Sequence, residues 1–165
     1  MLELARAEAA VVLCAASPEA VDAVEALGGV LRVAPDEALA LGPVGSVEAL
    51  VTDVRGRATA NDDDAIVLDA TDGWTIWTLR GSRAREAFTF LSALELPHEG
   101  SIQGEVARVH VKVVARGDRL DLLVPSMWGD HLRGRIRADC AHLGVVELPG
   151  PIPWTPAEGS QGDRT

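Results

Sequence analysis

Apolar and polar positions along this chain alternate between two periods, and the switches between them mark the elements. Ala9 to Cys14 is a short apolar run of strand length. Ser17-Pro18-Glu19 follows as a helix start, with serine to cap, proline in the first turn and an acid near the positive end of the dipole. Ala20, Val21, Val24 and Leu27 then recur at helical spacing, and Gly28-Gly29 ends the stripe. Val30 to Val33 and Ala38 to Leu41 read as a hairpin around Pro35-Asp36. Ser46 opens a second helix with Val47, Leu50, Val51 and Val54 on one face, and the polar run Asn61 to Asp64 leads into a last strand, Ala65 to Leu68.

The same order then returns. Trp74 to Leu79 predicts a strand, and Gly81-Ser82 turns it into a helix carrying Ala84, Ala87, Phe88 and Leu91. Pro97 to Gly100 makes a return loop. Glu105 to Arg116 reads as one long strand, Gly117-Asp118 as a hairpin turn, and Leu120 to Val124 as its partner. Ser126 is placed to cap a final helix with the buried stripe Trp128, Leu132, Ile136, Cys140 and Leu143, and Val145 to Leu148 closes the unit. Each half spells strand, helix, strand, strand, helix, strand, with serine at each helix start. Asp36 to Pro43 and Asp118 to Pro125 match most closely, both being hairpin arms that run from Asp to Pro into a Ser-started helix.

The fold class expected is therefore α+β: two ferredoxin-like βαββαβ repeats, about 9–69 and 74–148, in one compact domain spanning 1–148. From Pro149 on, prolines at 149, 151, 153 and 156 alternate with small and polar residues, so 149–165 is expected to be an extended or disordered tail. Trp154 within it is costly to leave in water and is a candidate anchor on another subunit.

Composition narrows the function classes. The chain has 165 residues and a formal net charge of -10, which opposes binding to a phosphate backbone, so nucleic acid is not an expected partner. No uninterrupted apolar stretch reaches membrane-spanning length, and Glu3, Arg6 and Glu8 interrupt the start where a signal peptide needs an apolar run; a cytoplasmic protein is expected, with no membrane partner. Cys14 and Cys140 are too few and too far apart in sequence for a disulfide framework or a zinc site and read as buried thiols.

Candidate chemistry concentrates on the long strand. Alternation puts Ala107, Val109, Val111, Val113 and Ala115 on one face and Arg108, His110, Lys112 and Arg116 on the other. On an acidic protein that basic row suits an anionic ligand, a polyglutamyl tail or an acidic partner surface, or else a solvated face paired to Asp121. His131 and His142 lie about 16 Å apart along a helix, too far to share a metal. Asn61 to Asp64 lacks the ligand spacing of a calcium loop. No metal is expected.

Asp69-Ala70-Thr71-Asp72-Gly73-Trp74, then a strand and Gly81-Ser82-Arg83-Ala84, resembles the aminomethyltransferase-type folate-binding superfamily, which shows an acid, a Thr or Ser, and a strand ending in Gly-x-x-Ala. Leu94-Glu95-Leu96 and the arm Leu122-Leu123-Val124-Pro125 with Trp128 soon after fit the same outline. Within it the chain most resembles the gamma subunits of heterotetrameric sarcosine oxidases, through Leu41-Gly42-Pro43, a helix and the acid-Thr strand. The resemblance, from about Val11 to Gly144, implies a non-catalytic structural or assembly subunit of a heteromeric, flavin- and folate-linked amine oxidase, partnered by larger flavoprotein subunits. Tetrahydrofolate, FAD, FMN and NAD are then implied in those partners and none is implied on this chain alone. Catalytic relatives carry a carboxylate for the pterin in the strand equivalent to Gly104–Val114, where the positions here are Arg108, Val109 and His110. Arginine cannot accept a hydrogen bond and neutral imidazole accepts only one, which argues against a relative-type folate site.

Arg108, His110, Lys112, Arg116, Trp128 and Trp154 are thus the candidate ligand- or partner-binding residues. The rival expectation is a stand-alone enzyme, able to form a homo-oligomer, acting on a small acidic substrate, with His110 as acid or base and Arg108 as anchor. A folate or small-molecule binding module is the third.

Overall fold

The computed structural model describes residues 1–156. The described residues form two compact units, one of Glu8–Thr71 with 153–156, the other of Met1–Ala7 with Asp72–Ile152. Each unit holds one of the repeats read from the sequence, and the α+β class with ferredoxin-like βαββαβ repeats is what the chain adopts.

In the first unit the elements are the later part of β1 (Leu2–Ala15), α1 (Pro18–Glu25), β2 (Val30–Ala34), β3 (Glu37–Pro43), α2 (Val47–Thr59) and β4 (Ile66–Asp69). The strands pair β2-β3-β1-β4, all antiparallel, which is the order a split βαβ unit takes when each helix crosses back over the sheet. Val12, Cys14, Val24, Ala40, Val54, Ala58 and Val67 form the core between that sheet and its helices. Ser17 caps α1 through the Ala20 N–H, whereas Ser46 donates its hydroxyl to the Pro43 carbonyl and leaves α2 without a side-chain cap. The Asn61–Asp64 run is structural: Asp62 accepts from the backbone N–H groups of Ser17 and Asp64.

The tail contributes to this unit. A short β10 (Ile152–Pro153) pairs with β1, the Trp154 N–H donates to the Glu8 carbonyl, and the indole is 4% exposed. Its ring edge lies near Gly29, whose φ of +65° favours glycine. The expected anchor for another subunit is therefore occupied within its own chain. The driving force is the same burial of indole surface, satisfied by the nearest apolar cleft.

The second unit takes the first part of β1, then β5 (Trp74–Arg80), α3 (Ala84–Leu91), β6 (Glu99–Val106), β7 (Val109–Arg116), β8 (Arg119–Pro125), α4 (Gly129–Asp139) and β9 (Val145–Glu147). Its strand order is β9-β1-β5-β8-β7-β6, antiparallel except for the parallel β1–β9 pair. The repeat itself is β5-α3-β7-β8-α4-β9; Leu2–Ala7 is inserted between β9 and β5, and β6 is an added edge strand. Leu79, Phe88, Leu91, Val111, Val113, Leu120, Leu122, Leu132, Ile136 and Cys140 make its core. Gly81 starts the turn into α3 at φ +114°, and a β-carbon there would fall on the Met1 carbonyl, so this turn requires glycine.

Two expectations fail here. Glu105–Arg116 is not one strand: Ala107 and Arg108 both have positive φ and form a two-residue hairpin turn between β6 and β7, flanked by the Val106–Val109 pair. From Ala107 on, apolar and polar residues alternate through the turn into β7, and no Asn-Gly signal marks it, so the sequence reads as continuous. Trp128 is not in the buried stripe either. It ends a 3-10 turn, Ser126–Trp128, before α4 begins, and is 45% exposed, while Leu132, Ile136, Cys140 and Leu143 are buried as expected.

Candidate functional site

The basic row of β7 separates into residues with quite different surroundings. Arg116 pairs with Asp121, the β8 carboxylate whose residue is fully buried. Asp121 also accepts from Arg119 Nε at 3.1 Å and from the Thr78 hydroxyl at 2.7 Å. A buried carboxylate is tolerated only with such a set of donors, so this cluster is a structural rivet across β5, β8 and β7. Lys112 sits 5.0 Å from the centre of the Trp74 ring, a cation–π contact that half-buries Trp74; Trp77, on the opposite face, is buried in the core with its Nε1–H on the Gly129 carbonyl at 2.9 Å. His110 is exposed, opposite Glu105 in the β6–β7 register.

Arg108 leaves the row altogether, because the turn re-aims it. That turn is held from three sides: the Ala107 N–H donates to the Leu91 carbonyl at 2.7 Å, His131 Nε2 donates to the Ala107 carbonyl at 2.9 Å, and the Ser92 hydroxyl donates to the Glu105 carbonyl at 2.6 Å. Trp128 meets His131 edge to face at 5.9 Å, so the exposed indole stands beside the histidine that pins the turn.

Beside the turn lies an open groove of about 510 Å³, lined by the C-terminal end of α3 and the residues after it, the hairpin turn and α4. Glu105, Arg108, Arg135 and Asp139 supply its charges, Phe90, Leu91 and Leu94 its apolar wall. Arg135 is bonded to Asp139 at 2.7 Å, and the Phe90 ring is set edge-on to His142 at 4.5 Å. Of the six candidates from the sequence, the structure brings Arg108 to this groove and Trp128 near its turn. Arg116 and Lys112 are engaged elsewhere in the second unit, His110 does not line the groove, and Trp154 belongs to the first unit. Glu105, Arg135 and Phe90 carried no motif, and only the strand break exposes them as neighbours of Arg108.

Other groups are quiet. Burial pushes the Cys140 thiol up to about 11, with Asp139 adding to the effect, and burial followed by the charge of Asp62 raises Cys14; both are buried free thiols. Thr71 holds the Asp69 carboxyl below its usual range, first through its backbone N–H and then its hydroxyl, and ties β1 by accepting from the Val11 N–H at 3.1 Å. Among the described residues no group of three or more His, Cys, Asp or Glu is placed to hold a metal, and no helix is long and apolar enough to cross a membrane.

Similarity to solved structures runs over nearly the whole chain. A chain of the heterotetrameric sarcosine oxidase from Corynebacterium sp. U-96, in complex with pyrrole 2-carboxylate, superposes at TM-score 0.74 with 17% identity, covering 89% of this chain and 87% of that one. The glycine cleavage system aminomethyltransferase T from Bartonella henselae superposes at TM-score 0.65 with 13% identity over 89% of this chain. The fold is the one that these two proteins share with this chain. This chain spans 47% of the aminomethyltransferase, about half of it. The regulatory subunit of aspartate kinase from Thermus thermophilus shares the arrangement more loosely, at TM-score 0.50 and 8% identity, covering 82% of this chain and 95% of that one. No family model matches the sequence, and no curated protein does.

The folate that the sequence resemblance implies can be tested against the residues present. The polar positions of β7 are His110, Lys112 and Arg116, and the carboxylate facing the strand, Asp121, is committed to two arginines and a threonine. β7 has no carboxylate open to a pterin and His110 can accept only one hydrogen bond, so the residues do not fit that group.

Proposed function

We propose that this chain is a non-catalytic structural or assembly subunit of a heteromeric, flavin-linked amine oxidase, similar in role to the gamma subunits of sarcosine oxidases. The observation that carries the proposal is end-to-end similarity to one chain of a heterotetrameric oxidase, 89% of this chain against 87% of that one. The lack of an open carboxylate on β7 supports a role in which folate, FAD, FMN and NAD belong to the larger partners.

The surface best suited to a partner is the exposed apolar group on the second unit around Met127 and Trp128, which are 81% and 45% exposed. Large aromatic and Met side chains at that exposure are the usual anchors of a protein interface. Co-expression with the proteins encoded beside it tests the proposal: a stable complex that carries flavin and is weakened by Trp128→Ala supports it. A chain that stays monomeric in the presence of those proteins contradicts it.

A further inference from the structure

The Ala107–Arg108 turn is conformationally expensive for its residues. Two-residue hairpin turns with positive φ at both positions favour Asn-Gly, and each residue with a β-carbon in this region costs about 1 kcal/mol or more. Ala107 and Arg108 are the non-glycine residues with positive φ among the described part of the chain, at 51° and 68°. The three hydrogen bonds made with Leu91, His131 and Ser92 hold the strained geometry in place. Strain that is over-determined in this way is a pointer to function, and its product here is the fixed presentation of Arg108 at the rim of the groove.

The charges of the groove divide into a closed pair and an open one. Arg135 and Asp139 satisfy each other, leaving only the buried Arg135 Nε–H without an acceptor. The exposed guanidinium of Arg108 and the exposed carboxylate of Glu105, by contrast, have no ion-pair partner among the described residues and do not pair with each other. The groove as a whole is therefore neutral and holds one uncommitted charge of each sign beside an apolar wall of Phe90, Leu91 and Leu94. A simple anion leaves Glu105 unmatched and adds charge to a chain already at -10; a simple cation leaves Arg108 unmatched.

We propose that this groove binds a small zwitterion with an apolar body, the chemical class of an α-amino acid, its carboxylate on Arg108 and its ammonium group on Glu105. The side chain of the ligand packs on Leu94 and Phe90. The inference rests on the second unit alone and stands apart from the assembly role.

The test is calorimetric titration of the full-length chain with L-leucine, with 4-methylpentanoate, which lacks the ammonium group, and with 3-methylbutylamine, which lacks the carboxylate. L-Leucine is expected to bind saturably and each analogue about tenfold or more weakly, the loss expected for one charge-assisted hydrogen bond. Arg108→Gln is expected to weaken leucine by a similar factor and leave the amine unaffected, and Glu105→Gln to do the converse. Arg108→Gly serves as the folding control, since glycine relieves the turn: its Tm is expected to rise while leucine binding falls. Absence of saturable leucine binding, equal binding of the three ligands, or leucine binding unchanged in Arg108→Gln overturns the assignment.

Discussion

Removing the carboxylate of Asp121 should be the most damaging single change in the second unit. The residue is fully buried and bonded to Arg116, Arg119 and Thr78, while the two arginine side chains are 14% and 23% exposed. Asp121→Ala strands both guanidiniums with little water to take over, and deleting one partner of a buried ion pair costs about 3–5 kcal/mol. Partial exposure of the arginines favours the lower end. Asp121→Asn keeps one oxygen for Thr78 and Arg119 but removes the negative charge and sets an amide N–H2 where the second oxygen accepted from Arg116, a loss of about 2 kcal/mol. Thr78→Val removes one donor and should cost about 1–2 kcal/mol. Urea unfolding of the three variants should rank them Asp121→Ala, Asp121→Asn, Thr78→Val in decreasing loss. By calorimetry, a loss of 3 kcal/mol lowers Tm by roughly 6–12 °C for a chain of this size. An Asp121→Ala protein within about 1 kcal/mol of wild type would refute the claim that this cluster rivets the three strands.

Four further outcomes follow from the same contacts. Trp154→Ala should cost about 3–5 kcal/mol, as for other buried indoles, and a melt of the variant that matches wild type would place Trp154 outside the core. Gly81→Ala forces a β-carbon onto the Met1 carbonyl at a positive φ and should lower Tm, with a wild-type Tm counting against the close approach. The Glu147 carboxyl is held below its usual range, first by its hydrogen bond to Arg133, so the stability it adds is present above about pH 4.3 and lost as pH falls through its depressed folded value; Glu147→Gln should flatten that part of an acid-unfolding profile. Neither thiol should react with a disulfide reagent near neutral pH until the chain unfolds, because both are buried and their ionisation is pushed up, Cys140 to about 11.

Much of the architecture was legible in the sequence because it depends on period and punctuation. The stripes Ala20–Val21–Val24, Ala84–Ala87–Phe88–Leu91 and Leu132–Ile136–Cys140 are buried as their helical spacing requires. The hairpins at Pro35-Asp36 and Gly117-Asp118 announce themselves by their turn residues. What stayed hidden has a common cause: tertiary contacts that overrule local signals. The Ala107–Arg108 turn is written in residues that avoid such turns and exists because Leu91, His131 and Ser92 hold it. Leu2–Ala7, with Glu3 and Arg6 breaking its apolar pattern, is a strand because both its edges are paired, by β5 and β9, and because Glu3 bonds Arg80. The candidate site shared this fate. Alternation placed His110 and Lys112 on a face of their own, but it grouped Arg108 with them through a strand that is broken, and so missed Glu105, Arg135 and Phe90.

The assembly role stands or falls on the state of the chain in its host. Affinity purification of the full-length protein from that host, followed by size exclusion with absorbance and native mass spectrometry, is expected to give a defined heteromer in which this chain co-elutes with larger subunits carrying bound flavin. Elution of the chain at its own mass, or in a self-association free of flavin, would contradict the account.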